Sequence, residues 1–536
     1  MFAVSGAREK RTIHVETTSR QANRMSDPRK TQPVLVIGAT GYIGGRLVPK
    51  LLEMGYTVRV IGRSLSKLES RPWASHPRLE AVRGDVLEVK SLKRAVRGCW
   101  AAYYLVHSMN ATKPDFEELD WRAAFNMVAA SAGSMLERLI YLGGLGDEND
   151  PKLSKHLRSR LEVARILRTG PVPVTTLRAA MILGSGSASF EILRYLVDRV
   201  PLMFTPPWVH TPVQPICIRN VLNYLVGCLE HEETVGQIFD IGGPEVLTYE
   251  RLIKLYAEAA GLSERIVIPI SFISPRLSAL MIGLMTPVPA PLALALTEGL
   301  VNRVICRDER IRHIIPQDLM TCRQAIERAI EKIERHRVEA CWTDAGELLP
   351  PEWTYCGDDS YAGGTVLACA YRVRLKALPS EIWEHIVTIG GRTGWYYGGP
   401  LWRIRGWLDK LFGGTSLLRG RRDPMKLYVG DALDFWRVLE VSAPFRLLLL
   451  SEMKLPGEAI LEFKICPVGH KECELQQVAR FLPRGVLGLL YWYSLYGAHR
   501  VLFKGMLRTI AREVGKPVVK KPERFEPELH LVCRLD

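Results

Sequence analysis

The sequence lacks the cysteine patterns that build zinc sites. Its 11 cysteines are scattered along 536 residues, with no CxxC pair and no histidine partner at zinc spacing. This pattern predicts reduced, mostly buried thiols in a cytoplasmic protein and no metal site. The cysteines are Cys99, Cys217, Cys228, Cys306, Cys322, Cys341, Cys356, Cys369, Cys466, Cys473 and Cys533.

The sequence also lacks an uninterrupted long apolar run. The stretch from Leu277 to Val301 has the length to span a bilayer, but three prolines interrupt its middle. We interpret it as two short helices that cover a ligand pocket. Residues 1–30 have no continuous apolar core of the signal-peptide kind and are predicted to be a basic disordered tail, with Met25 as a candidate start.

What the chain has is the composition of a folded protein with two large units, since 47% of its residues are hydrophobic and 24% are charged. The net charge of +15 is spread along the sequence. This spread favours a basic surface with pockets for an anionic cofactor over nucleic-acid binding. Peripheral contact with a membrane and the oligomeric state are left open.

A glycine-rich turn follows the first apolar run. The string "PVLVIGATGYIGGRLVPKLLEMGYTVRVIGRS" reads as strand, tight turn, helix and strand, with glycines at GxxGxxG spacing. The first glycine permits the turn, the second lets the backbone approach a pyrophosphate, and the third lets the helix pack on the strand. The helix N-terminus supplies amide donors to the phosphates. The predicted cofactor contacts here are Gly38, Thr40, Gly41, Tyr42, Ile43 and Gly44.

The end of the second strand indicates which cofactor binds. Arg63 and Ser64 stand where an NAD site has an acidic residue for the ribose 2′-hydroxyl. A cation and a hydroxyl without a carboxylate suit a 2′-phosphate, so NADP is preferred to NAD; the alternative is that Arg63 is a solvated loop residue. Asp85, Val106 and His107 follow later strands and are predicted cofactor contacts, although Asp85 suits a helix cap nearly as well.

Strands and helices continue to alternate through "LEAVRGDVLE", "AAYYLVHSM" and "LERLIYLGGLGD". The alternation predicts an α/β fold with a doubly wound parallel Rossmann sheet. These strings resemble the extended or atypical short-chain dehydrogenase/reductase superfamily. The string "LRAAMILGSGSASFEILRYLV" resembles its NAD(P)-binding reductases that are fused to a second domain. We place this domain at residues 31–340.

The resemblance implies a catalytic Ser, Tyr and Lys, and the matching positions hold none of them. Gly143 and Gly144 occupy the strand end of the serine, while His156 and Arg160 align with Tyr and Lys. A four-residue spacing puts His156 and Arg160 on one helix face, so Arg160 can keep the contact with the ribose and phosphates. His156 would have to donate a proton as imidazolium, which a nearby guanidinium disfavours, and Ser159 is a substitute hydroxyl.

A linker at residues 341–362 precedes a second predicted domain at residues 363–515. Alternating apolar runs followed by a long helical segment predict an α+β helix-grip domain. The strings "GGRTGWYYG" and "RGRRDP" resemble a domain of unassigned function that is similar to lipid-binding START and plant-allergen modules. The resemblance implies an apolar ligand cavity, although the aromatic residues could equally fill a core. Residues 516–536 are predicted to be a basic tail.

Two functions remain open on this reading. The first is an NADP(H)-dependent oxidoreductase that acts on a hydrophobic carbonyl, enone or quinone. The alternative is a catalytically silent nucleotide sensor or scaffold with a ligand-binding C-terminal domain. The glycine turn suits both, the missing Ser, Tyr and Lys favour the sensor, and fusion to a domain for apolar ligands favours the enzyme.

Overall fold

The structure is a computed structural model that describes residues 28–106, 116–270, 274–286, 288, 290–334, 340, 366–411, 420–469 and 471–527. His107, the predicted linker and most of the predicted N-terminal tail lie outside the described residues. Two compact units are present. One comprises Met1–Ile182, Pro212–Leu247 and Asn302–Cys322, and the other comprises Leu183–Thr211, Thr248–Val301 and Arg323–Asp536. The predicted domain boundaries stay predictions.

Short strands alternate with helices before residue 340. The strands are β1 (Val34–Ile37), β2 (Val58–Gly62), β3 (Leu79–Arg83), β4 (Ala101–Tyr104), β5 (Arg138–Gly144), β6 (Val174–Ala179), β7 (Ile182–Leu183), β8 (Leu202–Thr205), β9 (Pro212–Val213), β10 (Ile216–Cys217), β11 (Ile238–Ile241), β12 (Leu247–Thr248) and β13 (Ile266–Pro269). The helices are α1 (Gly44–Glu53), α2 (Leu65–Glu69), α3 (Val89–Val96), α4 (Phe116–Ser131), α5 (Lys155–Arg168), α6 (Ala188–Arg199), α7 (Ile218–Glu230), α8 (Tyr249–Ala259), α9 (Pro275–Met285), α10 (Ala290–Gly299), α11 (Arg310–Ile314) and α12 (Cys322–Glu334).

Seven strands of the first unit form one parallel sheet in the order β11-β6-β5-β4-β1-β2-β3. Val34 and Val36 of β1 pack into one apolar cluster, while Leu35 and Ile37 pack into another on the opposite face. A strand buried on both faces is typical of a doubly wound sheet. The Rossmann prediction is confirmed. The strand order reverses between β1 and β4, so the ligand crevice lies at their carboxyl ends.

The apolar stretch from Leu277 to Val301 contains two helices, α9 and α10, as its prolines predict. Among the described residues, no helix combines the length and the apolar character that a membrane crossing requires. The eight cysteines that the structure describes are free thiols, and six of them are buried. The cytoplasmic location stays a prediction.

The C-terminal region contains a seven-stranded antiparallel sheet in the order β15-β16-β17-β18-β19-β14-β20. Its strands are β14 (Leu367–Leu375), β15 (Ala432–Leu433), β16 (Trp436–Ser442), β17 (Arg446–Ser451), β18 (Gly457–Gly469), β19 (Glu472–Pro483) and β20 (Val518–Arg524). The helices are α13 (Pro379–Val387), α14 (Gly399–Leu411) and α15 (Gly485–Glu513), and α15 packs on β14, β19 and β20. The antiparallel sheet is confirmed, and the helix-grip assignment stays a prediction.

The last strand differs from the predicted basic tail. Residues Val518–Arg524 form β20, which pairs with β14 at the edge of the sheet. An edge strand needs backbone pairing on one side only, so its mostly exposed side chains can be basic, and such charges protect the edge from further pairing. Charge alone therefore does not distinguish this strand from a tail.

Candidate cofactor and substrate site

The first and third glycines of the turn are required by backbone geometry. Gly38 follows β1 with φ of +93°, and a Cβ there would lie 2.8 Å from the carbonyl oxygen of Leu105. A Cβ at Gly44 would overlap the carbonyl oxygen of Gly38. Only glycine satisfies both positions without a shift of the backbone. The turn therefore brings the start of α1 directly against the end of β1.

Gly41 is different, because a Cβ there would contact only the Gly38 carbonyl oxygen, at 3.3 Å. The remaining space in front of Gly41 is open. At the N-terminus of α1, Ile43 makes no side-chain capping hydrogen bond, and the amides of Gly45 and Arg46 donate to the carbonyl oxygens of Gly41 and Ile43 at 2.8 and 3.1 Å. The open space in front of Gly41, beside the positive end of the α1 dipole, fits the pyrophosphate of a dinucleotide.

Tyr42 and Thr40 lie in the same turn and are half-buried. The guanidinium of Arg46 stacks on the ring of Tyr42 at 4.4 Å, and its Nη1 donates to the Tyr42 carbonyl oxygen at 3.4 Å. Arg46 is itself buried. This contact holds the turn in place from the helix side, so Arg46 is a supporting residue that the sequence reading did not identify.

At the end of β2, Arg63 is exposed and Ser64 caps α2. The Ser64 Oγ accepts a hydrogen bond from the Lys67 amide at 3.3 Å and lies 2.9 Å from the Ser66 Oγ. The hydroxyl of Ser64 thus has a structural role besides the predicted contact with a 2′-phosphate. Arg63 is an exposed cation at the carboxyl end of β2.

The position of Asp85 suits both predicted roles, a helix cap and a cofactor contact. Its Oδ1 accepts a hydrogen bond from the Leu87 amide at 2.9 Å, as in a turn that precedes a helix. Its main chain is held by Ser91, whose Oγ lies 2.9 Å from the Asp85 nitrogen and 2.7 Å from its oxygen. Asp85 Oδ2 makes no hydrogen bond to any residue that the structure describes, so one carboxylate oxygen is available for an adenine contact.

Arg160 reaches the carboxyl end of β4. Its Nη1 lies 3.5 Å from the carbonyl oxygen of Val106, and its Cγ lies 3.6 Å from the place where a Cβ at Gly144 would stand. The hydroxyl of Tyr141 donates to the Arg160 carbonyl oxygen at 3.1 Å, which ties α5 to β5. The structure therefore brings Arg160, Val106 and Gly144 together at the ends of β4 and β5, next to the point where the strand order reverses.

A side chain at either glycine of β5 would require its neighbours to shift. A Cβ at Gly144 would lie 2.9 Å from a Leu157 methyl group, and a Cβ at Gly143 would lie 2.9 Å from the Tyr141 ring. These contacts are too close for an unshifted side chain. The local packing is thus adapted to glycine, and a hydroxyl at this strand end is not part of the site.

The first turns of α5 hold the other two predicted catalytic residues. Ser154 caps the helix by accepting from the Leu157 amide, and His156 is half-buried in the first turn. Ser159 is fully buried, and its Oγ donates to Asp120 Oδ2 of α4 at 3.3 Å. The predicted substitute hydroxyl therefore faces α4 and not the strand ends, which leaves His156 as the candidate acid on this helix.

A polar cavity of about 260 Å³ lies beyond β5 in the same unit. It is lined by the loop of residues 145–149, by Arg178 of β6 and Asp240 of β11, and by Arg303, Ile305 and Arg307. Arg178 and Asp240 are direct neighbours in the register of β6 and β11, with 2.7 Å between Nη2 and Oδ1. The Arg307 amide donates to Asp240 Oδ2 at 2.9 Å.

Several charged groups around this cavity are paired with one another. The Asn149 amide and the Arg307 guanidinium, which donates to Asp147 Oδ2 at 2.7 Å, lower the pKa of Asp147. Burial and the nearby Asp240 raise the pKa of Cys306 to about 12, so its thiol stays protonated at neutral pH. The cavity is accordingly suited to a polar or charged group and offers no thiolate nucleophile.

Comparison with known proteins accords with this geometry. Residues 38–193 match the NAD(P)H-binding family, and residues 361–506 match a family described as a protein of unknown function, DUF2867. The chain is 37% identical over 127 residues to dihydroflavonol 4-reductase of Hordeum vulgare, covering 22% of this chain and 36% of that protein. It is 29% identical over 133 residues to cinnamoyl-CoA reductase 2 of Medicago truncatula, covering 23% and 38%.

The first unit carries a parallel Rossmann-type sheet, and residues 38–193 match an NAD(P)H-binding family. The chain spans little more than a third of the length of these two curated relatives. Among solved structures, triphenylmethane reductase of Citrobacter sp. is 18% identical with a TM-score of 0.46, and the match covers 55% of this chain and 99% of that chain.

In this Rossmann domain the sequence reading missed the residues of the polar cavity. Arg178 and Asp240 each stand within a buried apolar strand, in "VTTLRA" and "IFDI". A charge inside such a strand is a usable signal, because burial of an unpaired charge is costly and a partner is expected nearby. The pairing itself follows from the strand order, which places β6 beside β11.

Proposed function

We propose that the chain is an NADPH-dependent reductase of a hydrophobic carbonyl, enone or quinone. Three features support this function: the open space in front of Gly41, the exposed cation Arg63, and the position of Arg160 at a strand end. Both curated relatives described above are named as reductases. NADPH, when bound, would supply the hydride.

The observation that carries the proposal is the place of Arg160. Its guanidinium stands at the end of β4 beside the Gly144 surface, where the standard lysine of the family would hold the ribose. A fixed cation there can bind the cofactor and can also stabilise negative charge that develops on a substrate oxygen. His156, one helical turn earlier on α5, would donate the proton as imidazolium.

Cofactor preference is tested with calorimetric titration of NADPH and NADH. We expect NADPH to bind about tenfold tighter, because charge-assisted contacts with the 2′-phosphate add roughly 1.4 kcal/mol. The variant Arg63→Ala should lose this preference. Arg83→Ala, which removes an exposed cation at the end of β3, is the matched control and should keep it. Equal affinity of the wild type for both cofactors would remove the role of Arg63.

Turnover is tested by NADPH oxidation against a panel of apolar quinones, enones and ketones. NADPH oxidation that occurs with one class of substrate and that Arg160→Ala reduces would support the reductase function.

The sensor or scaffold function is kept as a second candidate because the strand end holds Gly143 and Gly144 in place of a serine and the Ser159 hydroxyl donates to Asp120. Tight NADPH binding with no turnover on any member of the panel would favour it.

A further inference from the structure

The outer side of α14 is apolar although it faces solvent. Its exposed apolar side chains are Leu401, Ile404, Trp407 and Leu408, with exposed fractions of 48%, 57%, 66% and 38%. Residues three, four and seven apart lie on one side of a helix, so these four form a single stripe. Trp402 and Asp409, on the opposite side of the helix, are buried in the domain.

The first half of α15 shows the same arrangement. Val486, Leu487, Leu490 and Tyr493 are exposed by 70%, 73%, 62% and 63%. Gly488 and Trp492 lie on the other side of this helix and are buried. A well-packed helix normally buries its most apolar side. Here α15 has an apolar side in the core and a second one in solvent.

The two stripes lie at the same end of the domain. Asp409 near the end of α14 accepts a hydrogen bond from the Lys454 amide at 2.7 Å, and a Cβ at Gly488 would contact the carbonyl oxygen of Pro456. Both helices therefore adjoin the same loop between β17 and β18. The Arg405 guanidinium also stands over the Tyr491 ring at 5.8 Å, which links the helices directly. We call Leu401, Ile404, Trp407 and Leu408 of α14 together with Val486, Leu487, Leu490 and Tyr493 of α15 the α14–α15 surface.

Along α14 and along α15 up to Arg512, the exposed charged side chains that the structure describes are cationic. From Gly485 to Arg512 the sequence contains no Asp or Glu, and the one acidic residue of α14, Asp409, is buried. Exposed cations adjoin the apolar stripes or follow them along the two helices: Arg403, Arg500, Lys504 and Arg508. A second copy of the same surface would place these cations opposite one another, which like-charge repulsion disfavours.

We propose that the α14–α15 surface docks on an anionic phospholipid bilayer. Helices that lie in the membrane interface combine a leucine-rich and tryptophan-rich side with basic residues, and Trp and Tyr favour the headgroup region. The anionic headgroups complement the cations, and the acyl region takes up the apolar stripes. Since α15 does not have the character of a membrane span, the domain lies on the bilayer. This proposal is independent of the proposed enzymatic function.

The test is co-sedimentation of the full chain with vesicles of phosphatidylcholine alone and of phosphatidylcholine mixed with phosphatidylglycerol. We expect binding to the mixed vesicles that weakens as salt is raised. The double variant Trp407→Ser/Leu487→Ser should bind at least about tenfold more weakly, because two large apolar side chains no longer enter the lipid. The variant Arg403→Gln/Lys504→Gln should lose the preference for phosphatidylglycerol.

A matched control is Phe445→Ser/Val468→Ser, which removes apolar side chains exposed by 46% and 47% outside this surface. It should bind the mixed vesicles like the wild type. Quenching of tryptophan fluorescence by brominated lipid gives a second measurement that needs no disruptive change, and Trp407→Phe should reduce it. Circular dichroism verifies that each variant is folded.

Three results would overturn the proposal. One is a wild type that does not bind the mixed vesicles, and another is a surface variant that binds them as well as the wild type does. The third is a wild type that is dimeric by light scattering and that the surface variant makes monomeric, without vesicle binding by either. This last result would assign the surface to a second copy of the chain.

Discussion

Gly41 and Gly44 stand three residues apart, yet an added side chain has different consequences at the two positions. The Gly41 side of the turn opens toward the predicted pyrophosphate, whereas the Gly44 side is in contact with the Gly38 backbone. Gly41→Val should therefore abolish NADPH binding and leave the fold largely intact. Gly44→Ala should destabilise the domain by about 1–3 kcal/mol, as overpacking does. Calorimetric titration with NADPH and thermal unfolding separate the two effects; NADPH binding that survives in Gly41→Val would make this glycine purely structural.

His156 and Arg160 share one side of α5 and are expected to act differently. If His156 donates the proton, the rate of substrate reduction should fall as pH rises through the range in which an imidazolium loses its proton, because only the charged ring donates. His156→Ala should remove this dependence. Arg160→Ala should weaken NADPH binding more than His156→Ala does, because it removes the cation at the end of β4. A rate and pH profile unchanged by His156→Ala would eliminate this residue as the acid.

Asp434 contacts the segments "GGRTGWYYG" and "RGRRDP" of the C-terminal domain. Its Oδ2 accepts from the Gly391 amide at 3.1 Å and from the Trp395 indole at 3.0 Å, while Arg421 from the second segment donates to the Ile389 carbonyl oxygen at 2.8 Å. Burial raises the pKa of Asp434 above its usual range. Its role in the structure is to hold two loops together.

The raised pKa of Asp434 has a consequence for stability. The folded state holds this proton more tightly than the unfolded state does. The contribution of Asp434 to stability is therefore fully present below its unfolded pKa of about 4 and is lost as pH rises through its folded pKa. Asp434→Asn keeps an acceptor for both donors and removes the charge. Its melting temperature relative to the wild type should therefore rise from pH 4 to pH 8, and a difference that is constant with pH would contradict this assignment.

At the scale of elements, α15 contains a histidine held among aromatic rings. His499 stacks on Phe503 with ring centroids 5.5 Å apart and lies 5.3 Å from the ring of Trp492. Burial, together with the nearby Arg405, lowers the pKa of His499 from 6.5 to about 4. The helix therefore packs around a neutral imidazole, whose protonation the surroundings oppose.

This lowered pKa predicts acid sensitivity of the α15 packing. The unfolded chain binds the proton first, so the contribution of His499 to stability is complete above pH 6.5 and is lost as pH falls through about 4. The loss amounts to roughly 3 kcal/mol. His499→Leu should flatten the fall of stability between pH 6.5 and 4, measured by urea unfolding. Parallel curves for the wild type and this variant would contradict the assignment.

At the scale of the whole molecule, the Rossmann sheet and the C-terminal sheet have separate hydrophobic cores. The apolar clusters of the parallel sheet draw on residues before 320, and the cluster beneath α15 draws on residues after 366. All predicted cofactor contacts that the structure describes belong to the first unit. Ligand binding is therefore expected to stabilise one part of the molecule selectively.

NADPH should shift one unfolding transition and leave the other in place. At a concentration of about 100 times its dissociation constant it stabilises the folded Rossmann domain by roughly 2.7 kcal/mol through mass action. Differential scanning calorimetry with and without NADPH measures this shift. With Gly41→Val as the control, neither transition should move. Equal shifts of both transitions in the wild type would show that the cofactor stabilises the chain as one cooperative unit.

The sequence by itself determined the parallel sheet, the glycine turn and the two helices within the apolar stretch from Leu277 to Val301. These features depend on local chemistry, since strand and helix periods, proline positions and a glycine such as Gly38 at positive φ act over a few neighbouring residues. The NAD(P)-binding character followed from the same turn. The role of Arg160 in holding the ribose and phosphates, inferred from its alignment with the family's lysine, stays a prediction.

Only the tertiary structure decided which distant residues meet. The pairing of Arg178 with Asp240, the burial of Ser159 against Asp120, and the edge strand Val518–Arg524 join segments that are far apart in the chain. Likewise the apolar stripes of α14 and α15 resemble core helices in sequence, and their exposure is known only after the core has been filled by other side chains. Periodicity identifies an apolar side of a helix, but the packing of all elements decides whether that side faces the core or the solvent.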